Sequence, residues 1–454
     1  MQNPRCSLHI GMGIGKSVIV LNAIDALIAA GFKGKFLVIA PLRVARNVWS
    51  DEIKKWRHLS YLTISPIVGT ERERRAAIAK EADIFTCNYE NLPWLVDTLG
   101  IAWPYRMVIA DESTRLKSHR SHFRAKKDGK LSLVCTGGSR SKAIARLAFA
   151  KTQRFVCLTG TPAPNGLQDL WGSQWFIDKG AALGNSFSAF ENRWYRKDYN
   201  GFTMTMLPHA EKEIRDAIAS TTFTLKAEDY MELGEEITNT IFVDLPPAIR
   251  EKYTAMEKEL YIEIKAGAVE VFTMAARLTK LRQICNGFIY FDKMGSWEAL
   301  HDAKIEALRS VIEEAAGMPV LVVYSFRTDL IRLQKAFPQG RAFDTKAKTE
   351  KEFKAGKIPI LFIHPDSGGH GIDGFQYVTN IICFFSVDYN LESRMQVIAR
   401  IGKVRQFQAG YSRPTFIHQI IVKDSIDGLI LESIERKCSI ENVLRDGLAR
   451  RYGK

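Results

Sequence analysis

Short apolar runs separated by helical patterns recur along the chain in two blocks, and this alternation constrains the fold most strongly. The runs are Lys35–Ala40, Asp83–Tyr89, Met107–Asp111 and Phe155–Thr159, then Pro319–Ser325, Ile358–Ile363, Asn380–Ser386 and Phe416–Val422. Runs that are apolar on both faces are typical of parallel strands covered by helices on both sides of the sheet. The sequence therefore predicts an α/β fold with two parallel-sheet lobes.

The stretch between the two blocks has a different pattern. From about Leu167 to Leu308 it is mostly aromatic and helical, with apolar residues three and four positions apart, as in helices that bury one face. The predicted organisation is a first lobe over 1–166, a helical insertion over 167–308, and a second lobe with a C-terminal helix over 309–454.

One segment of the first block lacks periodicity. Ser118–Lys142 is basic and rich in glycine and serine, which predicts a mobile loop. Both a solvated charge run and a loop that contacts DNA fit this composition.

Composition limits the function classes. The 454 residues are 46% hydrophobic, enough for several cores, and the seven cysteines include no Cys-x-x-Cys pair. This argues against a zinc module or a disulfide scaffold and predicts reduced thiols. Because the chain starts without an export signal, a cytoplasmic protein is expected. A net charge of +14 permits a polyanionic partner without requiring one.

A glycine-rich turn before a predicted helix is the first candidate for chemistry. Gly13 and Gly15 precede Lys16 and Ser17, and a helix is predicted over Val18–Ala30. Glycines let backbone N–H groups point at phosphate oxygens at the positive end of a helix. Lys16 would neutralise the β- and γ-phosphates of ATP, and Ser17 would bind Mg²⁺. An ordinary strand–turn–helix connection would look the same.

Two carboxylates end the third apolar run. At the tip of a buried strand beside a phosphate loop, Asp111 could hold Mg²⁺ through water, and Glu112 could deprotonate an attacking water. The alternative is a helix cap, since Asp-Glu-Ser is good capping chemistry.

The fourth run ends in small hydroxyl residues. Thr159 and Thr161 flank a glycine and precede a proline. Such a turn can relay the state of a phosphate site by changing a few hydrogen bonds, although a simple turn has the same sequence.

The second block contains a candidate arginine finger. Gln396 and Arg400 are four residues apart on a predicted helix, and an arginine from a second lobe can stabilise charge that develops on the γ-phosphate. The alternative is a solvated helix face.

The order of these pieces resembles the Swi/Snf-like branch of superfamily 2 helicases, especially its compact phage-encoded members. The resemblance covers nearly the whole chain. The strings that carry it are MGIGKS, LVIAPLRVARNVWSDEIKKW, CNYENL, DESTRLKS, LTGTPAPN, LTKLRQICN, VLVVYSF and GGHGIDGFQYVTNIICFFSVDYNLESRMQVIARIGKVRQ.

This resemblance implies two RecA-like lobes and a motor that hydrolyses ATP with Mg²⁺ and moves on double-stranded DNA. It supports the nucleotide-site roles given above and adds Gly371 for coupling and Asp373 for the nucleotide. Because members track the DNA backbone, it also implies phosphate contacts. The candidates for those contacts are Arg43, Asn165, Ser325, Arg327 and His370.

Three departures from the family pattern bear on these expectations. The family places an adenine-recognising glutamine about twenty residues before the phosphate-loop lysine, but only fifteen residues precede Lys16 here. Ser113 and Thr114 replace the usual Ala-His, and Ile-Gly-Lys-Val-Arg-Gln follows Arg400, so that Lys403 or Arg405 would supply the second positive charge. The alternatives are a strand-separating or RNA-stimulated helicase, or a DNA-binding clamp without hydrolysis.

Overall fold

The computed structural model describes residues 3–125, 131–197, 204–265, 271–292, 295–344, 347–368, 373–437 and 440–453. The chain divides into two compact units, Met1–Met231 and Glu232–Lys454. The stretch 167–308 is therefore shared between the units, and the boundary lies inside it.

The first unit is built from alternating strands and helices. Its strands are β1 (Arg5–Ile10), β2 (Lys35–Ala40), β3 (Ile64–Ile67), β4 (Ile84–Asn88), β5 (Tyr105–Asp111), β6 (Arg120–Ala125), β7 (Leu131–Thr136), β8 (Arg154–Thr159), β9 (Tyr195–Lys197), β10 (Met204–Met206) and β11 (Thr222–Leu225). Its helices are α1 (Lys16–Ala29), α2 (Trp49–Lys55), α3 (Glu71–Ile78), α4 (Leu92–Leu99), α5 (Ser139–Ala148), α6 (Gln168–Asp178), α7 (Phe187–Trp194) and α8 (Ala210–Ile218).

A seven-stranded sheet in the order β11-β1-β8-β5-β2-β4-β3 forms the centre of this unit, and all its pairings are parallel. Two apolar clusters cover its faces. All four apolar runs predicted as strands in this block are strands. The patterns did not predict β1 because Ser7 and His9 interrupt its apolar residues.

The second unit repeats this architecture. Its strands are β12 (Glu236–Val243), β13 (Phe288–Tyr290), β14 (Trp297–Ala299), β15 (Val320–Val323), β16 (Arg341–Ala342), β17 (Ile360–Ile363), β18 (Ile381–Phe384) and β19 (Thr415–Val422). Its helices are α9 (Pro247–Lys265), α10 (Val271–Cys285), α11 (Ala303–Glu314), α12 (Arg327–Ala336), α13 (Ala347–Lys354), α14 (Pro365–Gly368), α15 (Leu391–Ile398), α16 (Lys403–Gln408), α17 (Ile426–Glu435) and α18 (Ile440–Tyr452).

Six parallel strands in the order β12-β19-β18-β15-β17-β16 form its sheet. The predicted α/β class with two parallel sheets is thus confirmed. β12 lies within the stretch predicted to be helical. It is an edge strand with mostly exposed side chains, so it lacks the apolar run of a central strand.

The segment Ser118–Lys142 is not the predicted loop, because β6 and β7 pair antiparallel within it and α5 begins at Ser139. The base of this hairpin is held by Arg120, whose guanidinium lies 3.6 Å from the Phe187 ring centroid and donates to the carbonyls of Lys117 and His119, each at 2.7 Å. Contacts with a distant helix therefore order a segment that has no periodicity of its own. Residues 126–130 lie outside the described part.

His119 lies beneath the hairpin in an aromatic pocket. Its ring is fully buried, with centroids 4.2 Å from Trp175, 5.1 Å from Phe176 and 6.0 Å from Trp171. Among the described residues neither ring nitrogen has a hydrogen-bond partner. Burial, with a smaller contribution from Arg120, lowers the pKa of His119 to about 4.

We expect this histidine to make the first unit sensitive to acid. In the unfolded chain this histidine binds a proton below its ordinary pKa of about 6.5, whereas in the folded chain it stays neutral until about pH 4. The free energy of unfolding therefore falls as the pH is lowered through that range. Between pH 7 and pH 5 the wild type should lose roughly 2 kcal/mol more than His119→Phe. Urea unfolding followed by tryptophan fluorescence measures this, and equal losses in both proteins would contradict it.

Among the described residues, no helix is both long and apolar enough to cross a membrane.

Candidate active site

Three neighbouring strands of the first sheet end at the same edge. β1, β8 and β5 are adjacent, with His9 opposite Thr159 and Leu158 opposite Asp111. The glycine-rich turn follows β1, the two carboxylates end β5, and the Thr-Gly-Thr turn ends β8. Because the strands are parallel, their carboxyl ends bring these three segments together.

The turn after β1 has the backbone needed to surround a phosphate. Gly13 and Gly15 have φ values of 82° and 81°, a region that side-chain-bearing residues rarely adopt. Helix α1 begins at Lys16, so Lys16 and Ser17 lie in its first turn, where backbone N–H groups are available to an anion. The Lys16 ammonium donates to the carbonyls of Ile10 and Gly11 at 3.1 and 3.2 Å, and so folds over the turn.

The two carboxylate residues are held rigidly at the end of β5. Asp111 and Glu112 are each 8% exposed, and Asp111 Oδ2 accepts a hydrogen bond from Trp49 Nε1 at 3.1 Å. The Tyr89 hydroxyl, within 2.9 Å of the Asp111 carbonyl and 3.2 Å of the Glu112 carbonyl, fixes the backbone. Glu112 has a φ of 60°, a strained value for a residue with a side chain.

The charge state of Asp111 depends on its neighbours. Burial raises the pKa of its carboxyl, while the Lys16 ammonium and the Trp49 N–H lower it. The interaction with Lys16 links the phosphate turn electrostatically to the carboxylates. Glu112 precedes a short 3₁₀ helix, Ser113–Leu116, and its side chain makes no cap hydrogen bond to that helix, which weakens the alternative that these carboxylates are only a cap.

The turn after β8 lies against the phosphate turn. Thr161 N donates to Thr159 Oγ1 at 3.0 Å, and both threonines are buried. A side chain at Gly160 would place its Cβ 3.0 Å from Met12 Cγ and 3.5 Å from Lys16 Nζ. The methionine would have to shift by a few tenths of an ångström, whereas the distance to the lysine is an ordinary van der Waals contact.

The oxygen donors of this site suit magnesium. Within the described ranges, no group of three or more His, Cys, Asp or Glu residues could hold a metal ion by itself. Mg²⁺ needs no such cage, because it usually takes one or two protein oxygens together with substrate phosphates and water. The Ser17 hydroxyl and the Asp111 carboxylate provide donors of this kind.

The sequence predicted that Arg400 and Gln396 share one helical face. The structure contradicts this prediction. α15 ends at Ile398, and Arg400 lies in the turn that follows, where its N–H donates to the Val397 carbonyl at 3.1 Å. Gly402 N closes the turn on the Ile398 carbonyl at 2.8 Å. Gln396 is buried and donates to Glu392 Oε1 at 3.2 Å. The four-residue spacing assumed a helix that continues to Arg400, whereas α15 ends at Ile398.

The other predicted residues of the second unit are only partly described. Asp373 forms an ion pair with Arg405 at 3.2 Å, so these two predicted site residues are close together. His370 and Gly371 lie outside the described residues.

The predicted nucleic-acid contacts lie near carboxyl ends of strands. Arg43 follows β2 and precedes a π-helix, Val44–Val48, and the exposed Asn165 follows β8. In the second unit, Ser325 and the exposed Arg327 follow β15. Arg43 and Asn165 therefore lie near the edge of the first sheet that carries the nucleotide residues.

Two residues that position the carboxylates were missed by the sequence analysis. Trp49 and Tyr89 both lie in strings that resemble the family, but neither side chain was assigned a role from the sequence. Their polar atoms acquire a role only because the fold brings them beside β5.

The chain is similar to one known family model and to proteins of a phage and of yeast. Residues 2–132 match the family model described as SNF2-related domain. Protein p41 of Acyrthosiphon pisum secondary endosymbiont phage 1 is 44% identical over 98% of this chain and 95% of its own length. Nuclear protein STH1/NPS1 of Saccharomyces cerevisiae is 24% identical over 95% of this chain, which spans about a third (32%) of that protein.

Two further matches are a chromatin-remodelling protein and a solved structure. Chromatin-remodeling ATPase INO80 of Schizosaccharomyces pombe is 27% identical over 61% of this chain and 17% of its own length. Among solved structures, the Sulfolobus solfataricus SWI2/SNF2 ATPase core in complex with dsDNA has 18% identity, covers 97% of this chain and 88% of its own, and has a TM-score of 0.42.

Proposed function

Because the chain belongs to the SNF2-related ATPases, the Swi/Snf-like branch of superfamily 2, we propose that it hydrolyses ATP to move along double-stranded DNA. The observation that carries this proposal is the convergence of the phosphate turn, Asp111 with Glu112, and the Thr-Gly-Thr turn at one edge of the first sheet.

ATP binding falls to the turn after β1. Backbone N–H groups of the glycine-rich turn and of the first turn of α1 would receive the phosphates, and Lys16 would exchange its two carbonyl partners for phosphate oxygens. Ser17 and Asp111 would hold Mg²⁺, which when bound neutralises charge on the β- and γ-phosphates.

Glu112 acts on the attacking water. Its carboxylate, beside the phosphate turn, would accept the water proton as the oxygen attacks the γ-phosphorus, and the bond from that phosphorus to the bridging oxygen would break, so that ADP leaves with that oxygen. The backbone of Glu112 is fixed by Tyr89, so the carboxylate needs little reorganisation. Thr159 and Thr161 would transmit the change at the γ-phosphate to the rest of the unit.

The second unit contributes positive charge to the reaction. We assign to Arg400 the stabilisation of the γ-phosphate charge, and to Gln396, Arg405 and Asp373 a supporting role in nucleotide binding. The nucleic-acid backbone would be bound by Arg43, Asn165, Ser325, Arg327 and His370. The phage relative supports a bacterial cytoplasm as the place of action.

The proposal predicts which polymer stimulates hydrolysis. Phosphate release with ATP and magnesium should rise at least about tenfold with duplex DNA, because DNA phosphates stabilise the arrangement in which hydrolysis proceeds. Single-stranded DNA and RNA of matched length should be weaker activators. Stimulation by RNA or single strands alone would indicate a different helicase, and tight DNA binding without phosphate release would indicate a clamp.

A further inference from the structure

The end of helix α10 reaches two loops of the second unit at once. The first loop, defined as residues 324–328, follows β15, includes the first two residues of α12, and contains the predicted nucleic-acid contacts Ser325 and Arg327. The second loop, residues 385–390, follows the neighbouring strand β18. The string LTKLRQICN, residues 278–286, covers the end of α10 and the residue that follows it.

Arg282 joins the two loops directly. Its Nη2 donates to the Val387 carbonyl at 2.9 Å and to Ser325 Oγ at 3.3 Å, and its Nε also donates to the Val387 carbonyl, at 3.2 Å. The guanidinium lies 5.1 Å from the Phe326 ring centroid, and the residue is only 8% exposed. A single planar cation therefore sets the distance between the loops.

Asn286 joins the same loops one turn further along. Its Nδ2 donates to the Ser386 hydroxyl at 2.8 Å and to the Asp329 carboxylate at 3.0 Å. Asp329 in turn accepts from the backbone N–H groups of Ser325 and Phe326 at 3.3 and 3.0 Å, and from Ser386 Oγ at 2.6 Å. All three side chains are at least 95% buried, so water does not replace these bonds easily.

Further contacts hold Asn286 in place. Lys304 Nζ donates to Asn286 Oδ1 at 3.0 Å, and Arg332 binds the Asn286 carbonyl. Gly287 has a φ of 88°, and a Cβ there would fall 2.1 Å from the His301 carbonyl oxygen. Asn286 therefore has little freedom to move relative to the strand ends.

The contact with Arg282 also directs the Ser325 hydroxyl. Because Ser325 Oγ accepts a hydrogen bond from a guanidinium that has no acceptor, its own proton remains available to donate. A phosphate oxygen is an acceptor that matches such a donor, and the neighbouring Arg327 supplies positive charge.

We propose that Arg282 and Asn286 are positioning residues that hold the loops 324–328 and 385–390 in the arrangement that binds the nucleic-acid backbone. This inference rests on the proposed function, since it presumes that Ser325 and Arg327 contact phosphates.

The test compares Arg282→Ala, Arg282→Lys and Asn286→Ala with Arg277→Ala. Arg277 is a matched control on the same helix, where it bonds Glu259 and Glu263 of α9 instead of the loops. Duplex DNA affinity is measured by fluorescence anisotropy without nucleotide, together with phosphate release against DNA concentration and thermal melting.

For Arg282→Ala we expect the DNA concentration at half-saturation to rise about tenfold, with the rate at saturating DNA within about twofold of wild type. Arg282→Lys should recover part of the loss, and Arg277→Ala should bind DNA like the wild type. Asn286→Ala should weaken DNA binding in the same way.

Other outcomes separate the inference from the function on which it rests. If wild type is stimulated by DNA but Arg282→Ala and Arg282→Lys lower only the melting temperature, the residues are purely structural and the inference is overturned. If wild type neither binds DNA nor is stimulated by it, the proposed function fails and the inference fails with it. If the asparagine variant does not fold, the arginine pair decides.

Discussion

Replacing Lys16 by alanine or Glu112 by glutamine should reduce ATP turnover at least about a thousandfold. Lys16→Ala removes the cation that lies over the phosphate turn. Glu112→Gln keeps the side-chain volume at the end of β5 but removes the group that accepts the water proton. Neither residue is among the predicted DNA contacts, so duplex DNA affinity should stay within about threefold of wild type.

The measurement is steady-state phosphate release with saturating duplex DNA, followed by DNA anisotropy on the same preparations. Lys54→Ala and Glu81→Gln are matched controls, because both residues are highly exposed, with side-chain exposures of 77% and 97%, and lie away from the carboxyl edge. Both controls should hydrolyse ATP at the wild-type rate. Retained turnover in Lys16→Ala and Glu112→Gln would refute the assigned mechanism.

Replacing Lys304 by alanine should destabilise the second unit by roughly 3 to 5 kcal/mol, because it leaves a buried carboxylate without its counter-ion. Lys304 and Asp427 are each 1% exposed, and their charged groups are 2.7 Å apart. The same substitution removes the donor to Asn286 Oδ1. It therefore also loosens the network beneath the 324–328 and 385–390 loops.

Urea unfolding of wild type, Lys304→Ala and the double variant Lys304→Met with Asp427→Leu tests this prediction. The double variant should be more stable than Lys304→Ala, because it buries no unpaired charge. Arg309→Ala on the same helix α11 is the control, since Arg309 is exposed and forms an exposed ion pair with Glu306 at 3.4 Å and a contact with the Phe337 ring at 5.3 Å, and it should lose less than about 1 kcal/mol. A loss below that limit for Lys304→Ala would contradict the prediction.

Local sequence determined the central part of both sheets. Central strands of a parallel sheet are covered on both faces, so they must be apolar throughout, and each of the eight predicted runs contains a strand. Residues at the carboxyl ends of neighbouring parallel strands share one edge of the sheet. This is why the phosphate turn, Asp111 and Thr159 could be grouped before their positions were known.

Tertiary structure decided the elements that depend on distant contacts. The edge strand β12 is polar enough to lack a strand pattern, the β6–β7 hairpin is held by a contact with Phe187, and the helix of Gln396 ends at Ile398, before Arg400. Trp49, Tyr89, Arg282 and Asn286 acquire their roles only where side chains from separate segments meet. The sequence by itself determined the central strands of both sheets and the chemical groups that end them, because those depend on short-range burial patterns. Only the tertiary structure decided what holds those groups in place, because hydrogen bonds between residues tens to hundreds of positions apart leave no local pattern.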